Sequence, residues 1–193
     1  LLRFLPSGRR PKLIHIPHGA GDRAKSYDRR IRHFDLVLTA GRKDRDRFIA
    51  RGLSEPGRTH VTGYGKLDLM QDAVPEFFEE QRPVILYNPH FDERLSSWLT
   101  HGEPLLRWFC EQQGFNVIVA PHLRITGRSR TLFEKLAARY AAPHLRFDGG
   151  SLHSVNMDYT RCADIYLGDV SSQVYEFLRT PGPCVFIDAH GAN

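Results

Sequence analysis

The residues best equipped for chemistry stand where apolar runs end. Ile165-Tyr166-Leu167 is a run of the kind that forms a buried parallel strand, and it breaks at Gly168-Asp169 before Ser171, Ser172 and Glu176. Strand, tight turn and helix start, in that order, set two hydroxyls beside unpaired N–H groups and the positive end of a helix dipole. Such a place can hold a phosphate. His18 and Gly19 likewise follow the run at 12–16, and Gly63-Tyr64-Gly65 the run at 59–62. Asn88-Pro89-His90 follows 84–87, and His122 with Arg124 follows 116–120. Imidazole exchanges protons near neutrality and guanidinium neutralises anions, so this is a set for acid–base work beside a phosphate. A serine-capped helix belongs to many α/β domains, and a lone loop histidine is more often structural. Several such turns at strand ends point to one ligand cleft.

The elements that must position these groups follow from hydrophobic runs and punctuation. Strands are expected at 12–16, 34–39, 59–62, 84–87, 116–120, 144–147, 165–167 and 183–187. Helices are expected at 43–51, closed by Gly52, and at 104–113, with Pro104 in the first turn and Gly114 as the stop. Two more are expected at 129–140 and 156–162. Residues 71–82 read as helix and connector. Ser171 or Ser172 would cap the helix after 165–167, with Glu176 in its second turn. This alternation predicts an α/β protein with parallel sheets. The Pro- and charge-rich connector divides it into domains at 1–75 and 76–193. The first holds strands only at 12–16, 34–39 and 59–62, too few for a complete doubly wound domain, so the chain reads as a fragment.

With 41% hydrophobic residues in 193, the chain is globular in composition. No apolar run reaches the ~18 residues of a membrane span, and residues 1–6 are too short for a signal peptide. Three widely spaced cysteines, Cys110, Cys162 and Cys184, give neither a disulfide framework nor a zinc pattern, which fits a reducing, cytoplasmic setting. A net charge of +5, with ten Lys/Arg residues between 23 and 51, suits an anionic partner. A solvated basic face explains the same run, and no nucleic-acid-binding spacing accompanies it. His15 alternates within a strand and reads as structural, His101, His144 and His153 as surface or loop residues, and Tyr159 and Tyr175 as packing. Cys162 and Cys184 read as buried small hydrophobes.

A family resemblance joins these pieces. Pro17-His18-Gly19-Ala20 resembles the His-Gly-Thr motif of the CDP-glycerol glycerophosphotransferases, the teichoic-acid primases and polymerases. His33-Phe34-Asp35-Leu36 through Thr39 is similar to that family's Phe-Asp-Tyr strand, and Thr62-Gly63-Tyr64-Gly65-Lys66-Leu67-Asp68 resembles Gly-Tyr-Pro-Arg-x-Asp. Ile85 through Pro89 resembles Leu-Tyr-x-Pro-Thr, and Pro121-His122 stands where the family has Arg-x-His-Pro. Ala163-Asp164-Ile165 through Asp169-Val170-Ser171-Ser172, then Glu176-Phe177, resembles Ser-Asp-x-x-Ile-Thr-Asp-Tyr-Ser-Ser…Asp-Phe. Pro181 through Phe186 is similar to Gly-Lys-Pro-Val-Ile-Phe. The pieces run in order from His18 to Asp188. Pro17, Ala20, Leu123 and Val170 depart from the pattern and leave the donor open.

The resemblance implies a GT-B-like fold, two Rossmann-like domains with the nucleotide mainly on the second and an N-terminal domain incomplete in this chain. It implies transfer of glycerol phosphate from a CDP-activated donor to a polymer or lipid-linked acceptor hydroxyl in cell-surface polymer synthesis. His18 would be the base and His122 would contact the donor phosphates or assist the leaving group. Gly19, Gly63, Arg124, Asp169, Ser171, Ser172 and Glu176 would line the donor or phosphate site. Neither a metal nor a cofactor is called for. The setting would be cytoplasmic, with an anionic membrane surface, peripheral on the inner face of the cell membrane, as a further partner, and no nucleic acid. Two alternatives stand beside it, a GT-B nucleotide-sugar glycosyltransferase or epimerase, and a non-catalytic basic module for nucleic acid or membrane.

Overall fold

The computed structural model describes residues 11–17, 19, 27–70, 73–189 and 191. The chain divides into two units, Leu1–Leu69 and Met70–Asn193, the division falling just before the Pro-rich connector.

In the first unit β1 (Ile14–His15), β2 (Leu36–Thr39) and β3 (Thr59–Val61) form a parallel sheet in the order β1-β2-β3. A 3-10 turn, Arg29–His33, begins where the Asp28 side chain accepts the Arg30 N–H. Helix α1 (Arg42–Ala50) ends as expected at Gly52, whose φ of 61° lets the Leu53 N–H turn back to the Phe48 carbonyl. Val37, Phe48, Ile31, Leu53 and Tyr27 make a small core.

The second unit holds β4 (Val84–Asn88), α2 (Trp98–Glu111), β5 (Asn116–Val119), α3 (Gly127–Arg139) and β6 (Leu145–Phe147). Then come α4 (Leu152–Val155), α5 (Asp158–Cys162), β7 (Ile165–Gly168), α6 (Gln173–Phe177) and β8 (Cys184–Phe186). Its strands are parallel in the order β6-β5-β4-β7-β8. Alternation along β4 and β5 splits the core: Ile85, Tyr87, Val117 and Val119 meet α2 and α3 on one face. Leu86, Ile118 and Tyr166 meet α5 and α6 on the other. The winding reverses between β4 and β7, and ligands of open parallel sheets bind beyond the strand ends at such a point.

The expected boundaries are corrected in four places. Residues 73–83 contain no helix. Arg161 donates to the Ala73 carbonyl, and Asn116 to the Glu80 carbonyl, so the connector lies extended against the unit. Helix α2 starts at Trp98, leaving Pro104 inside it. The fully buried Trp98 indole, bonded to the Ser129 carbonyl at 3.1 Å, draws in the first turn despite the N–H that Pro104 lacks. The helix expected at 156–162 starts only at Asp158, as α5, because Met157 takes a left-handed φ of 67°, and the unexpected α4 precedes it. Helix α6 is only five residues long, which puts Glu176 in its first turn.

Candidate functional site

The carboxyl ends of β4, β5 and β7 bring together polar groups far apart in the chain, from Asn88 to Ser171. Gly168, at the end of β7, packs so closely on β4 that a Cβ there would lie 2.5 Å from the Asn88 carbonyl oxygen. Asn88 in turn donates to the Ala120 carbonyl at 2.6 Å and accepts from the Tyr166 hydroxyl at 3.1 Å, tying three strand ends together.

Asp169 follows at the reversal point and is 0% exposed. Its carboxylate accepts the His90 N–H at 2.7 Å, and the Ser97 N–H reaches both its oxygens at 3.0 Å. It therefore grips both ends of the loop between β4 and α2. Ser171 is also buried. Its hydroxyl shares a 3.2 Å bond with the Tyr166 hydroxyl and accepts the Gln173 N–H at 3.3 Å, so Ser172 holds the N-cap position of α6 while the Ser171 side chain makes the bond to its first N–H. Burial raises the Tyr166 and Tyr87 pKa values above the phenolic range, keeping both as neutral hydroxyls in this network.

Above this buried layer stand His90, Phe91, His122 and Arg124. The Arg124 guanidinium lies over the Phe91 ring at 4.4 Å, and Phe91 meets the His122 ring at 4.7 Å. Arg124 is exposed, and among the described residues no carboxylate pairs with it. Asp92 turns its carboxylate to Arg94, whose hydrogen bonds hold it well below the usual carboxylate range. A cation resting on an aromatic face keeps its charge available to an incoming anion.

The remaining expected site residues are placed apart or not described. His18 lies outside the described residues. Gly19 follows β1 in the first unit, and Gly63 follows β3 with φ 86°, a value that favours glycine for turn geometry alone. Ser172 is half-buried at the start of α6. Glu176 is buried and lines a different hollow of about 290 Å³ with Thr160, Arg161 and Arg179. Hollows of about 280 and 380 Å³ flank Phe77 and Phe78 near the amino ends of β4 and β5, away from His122. The larger hollows thus lie toward the amino edge of the sheet, whereas the buried hydrogen bonds and the His122–Arg124 cluster gather at the carboxyl edge.

Sequence reasoning placed His90 at a strand end but missed its burial and missed Phe91 as the centre of the cluster. The repeated Pro-His after two successive strands was the available signal. Among the other histidines, His144 is buried, not surface, and bonds the Phe109 carbonyl, while His153 pairs with Asp158 at 2.7 Å. Burial pushes the Cys162 thiol up to about 12, so it is no nucleophile at neutral pH. Among the described residues no group of three or more His, Cys, Asp or Glu could hold a metal ion, and no helix is long and apolar enough to cross a membrane.

The two parallel sheets define a GT-B-like α/β fold. No family model and no curated protein sequence matches the chain. Among solved structures it is similar to the wall teichoic acid polymerase TagF, with 14% identity over 93% of this chain and 50% of that one, at a TM-score of 0.63. It is also similar to S. aureus MnaA in a co-structure with UDP, with 12% identity over 81% and 43% at 0.59. A UDP-N-acetylglucosamine 2-epimerase from Rickettsia bellii follows, with 17% identity over 90% and 49% at 0.57. The polymerase also has structures of a His-to-Asn variant soaked with CDPG. The chain spans about half the length of each of these proteins.

Proposed function

We propose that the chain belongs to a transferase that uses a nucleotide-activated donor, and that the donor is CDP-glycerol, whose glycerol phosphate passes to an acceptor hydroxyl of a cell-surface polymer. The observation that carries this reading is the Phe91-centred cluster at the carboxyl edge of the second sheet. There His122 and the unneutralised Arg124 offer a donor and positive charge where the phosphoanhydride oxygen of the donor develops charge as CMP leaves. The fold shared with a teichoic acid polymerase, a UDP-N-acetylglucosamine 2-epimerase and a protein seen with UDP supports the class.

In this reading His122 and Arg124 meet the donor diphosphate, and Ser172 adds a hydroxyl at the start of α6. Asp169 and Ser171 act from beneath by holding the loops. His18 is the base that takes the proton from the acceptor hydroxyl as its oxygen attacks the donor's glycerol-linked phosphorus and CMP departs. Gly19 and Gly63 allow close backbone approach. Glu176 faces its own hollow and takes no part in donor binding in this reading. The acceptor is polymer- or lipid-linked, and the setting is the inner face of a membrane, whose anionic surface suits the basic residues of α1.

The second reading, a UDP-sugar transferase or epimerase, is favoured by the epimerase neighbour and by the neighbour seen with UDP. Titrating the chain with CDP, CDP-glycerol, UDP and a UDP-sugar separates the two. Cytidine selectivity of about tenfold or more supports the first. Uridine selectivity transfers the proposal to the second. A folded chain that binds none of the four defeats both.

A further inference from the structure

We propose that His90 is a positioning residue of this site, backing Phe91 as the wedge that fixes His122 and Arg124. The idea rests on reading His122 as a donor-facing group. Adjacent strands β4 and β5 end in the same turn, Asn88-Pro89-His90-Phe91-Asp92 and Ala120-Pro121-His122-Leu123-Arg124. In each, the N–H two residues beyond the histidine donates to its Nδ1, from Asp92 to His90 at 2.9 Å and from Arg124 to His122 at 3.1 Å. A backbone N–H can only donate, so each Nδ1 presents a lone pair, and each neutral imidazole carries its proton on Nε2.

The paired turns then differ in what they do. His90 is 3% exposed, too buried to meet a nucleotide in bulk contact. Its ring instead stacks on Phe91, with centroids 4.4 Å apart and planes 28° from parallel. The Phe91 ring also meets His122 and carries the Arg124 guanidinium. Phe91 is therefore held between one buried histidine and two outward basic groups. Asp169 secures the start of this arrangement through the His90 N–H. Order runs from a buried carboxylate to a turn, to a ring, to the wedge and so to the groups that would touch an anion. The resembled family has threonine where His90 stands, so the sequence resemblance assigns nothing to it.

The test uses the full chain and two readouts. Long-range proton–nitrogen spectra show which ring nitrogen of His122 carries the proton, and titration with inorganic pyrophosphate gives affinity. His90→Ala is expected to turn a single Nε2–H signature of His122 into a mixture of tautomers and to weaken pyrophosphate binding about tenfold. His90→Phe keeps an aromatic ring against Phe91 without Nδ1, and is expected to restore the single signature. A His122 signature unchanged by His90→Ala, or no better in His90→Phe than in His90→Ala, overturns the proposal. If the wild-type chain binds no pyrophosphate but His122 still loses its signature in His90→Ala, the functional reading fails and the positioning role stands.

Discussion

Asp169 has no contact with solvent and three amide hydrogen bonds from a loop that begins 79 residues away in sequence. A carboxylate there is charge-assisted in every bond, and Asn would set an NH₂ group against an amide donor. Asp169→Asn is expected to lower unfolding free energy by about 2–3 kcal/mol, read from urea midpoints. Asp148 makes a smaller version of the same device, accepting the Gly150 and Ser151 N–H groups at 2.7 Å and the Ser151 hydroxyl. Burial alone would raise its pKa, but those bonds outweigh burial and bring it below 3.8. A folded pKa below the unfolded one means that the stabilisation is complete above the unfolded value and fades as pH falls through the folded value. The stability gap between wild type and Asp148→Asn should therefore be constant near neutrality and shrink below about pH 4. A gap that widened in acid would reverse the sign of this assignment. At this scale the place of His122 and Arg124 at a strand end was legible because they follow an apolar run directly. The burial of Asp169 and Ser171 was not, since it depends on β4 and β7 becoming neighbours.

Elements were legible where punctuation was local and misread where a distant contact overruled it. Gly52 closed α1 as expected, whereas Pro104 suggested a helix start and stands inside α2. The reason is Trp98, whose burial lies with α3, out of reach of any local pattern. Replacing Pro104 by Ala supplies an N–H to the ladder and is expected to stabilise the protein by about 1 kcal/mol or more, measured by thermal unfolding. Gly168→Ala should act the other way. Its Cβ would meet the backbone of Asn88, which cannot swing aside, so β4 and β7 must separate at the site itself. A cost of about 1–3 kcal/mol is expected, together with weaker nucleotide binding. The connector looked helical from composition, but its Phe77 ring packs against His153 and Tyr159, an anchor that a local reading does not reveal.

For the whole molecule, the sequence made the α/β class and the parallel sheets readable through strand–helix alternation, and family-like motifs suggested the GT-B-like architecture. The two units have unequal cores, and both tryptophans, Trp98 and Trp108, lie in the second. Tryptophan fluorescence should therefore follow only the second unit in urea. Far-UV circular dichroism should show an earlier phase from the smaller first unit, giving transitions that do not coincide. Function at this scale turns on whether the carboxyl edge of the second sheet holds a nucleotide diphosphate. The most direct measurement is calorimetric titration of CDP into the wild-type chain and into a His122→Ala/Arg124→Ala double variant with unchanged circular dichroism. We expect wild-type binding to weaken by about 100-fold, or about 2.7 kcal/mol, in the variant. Equal affinity in the two proteins would contradict the site, wherever else the nucleotide bound.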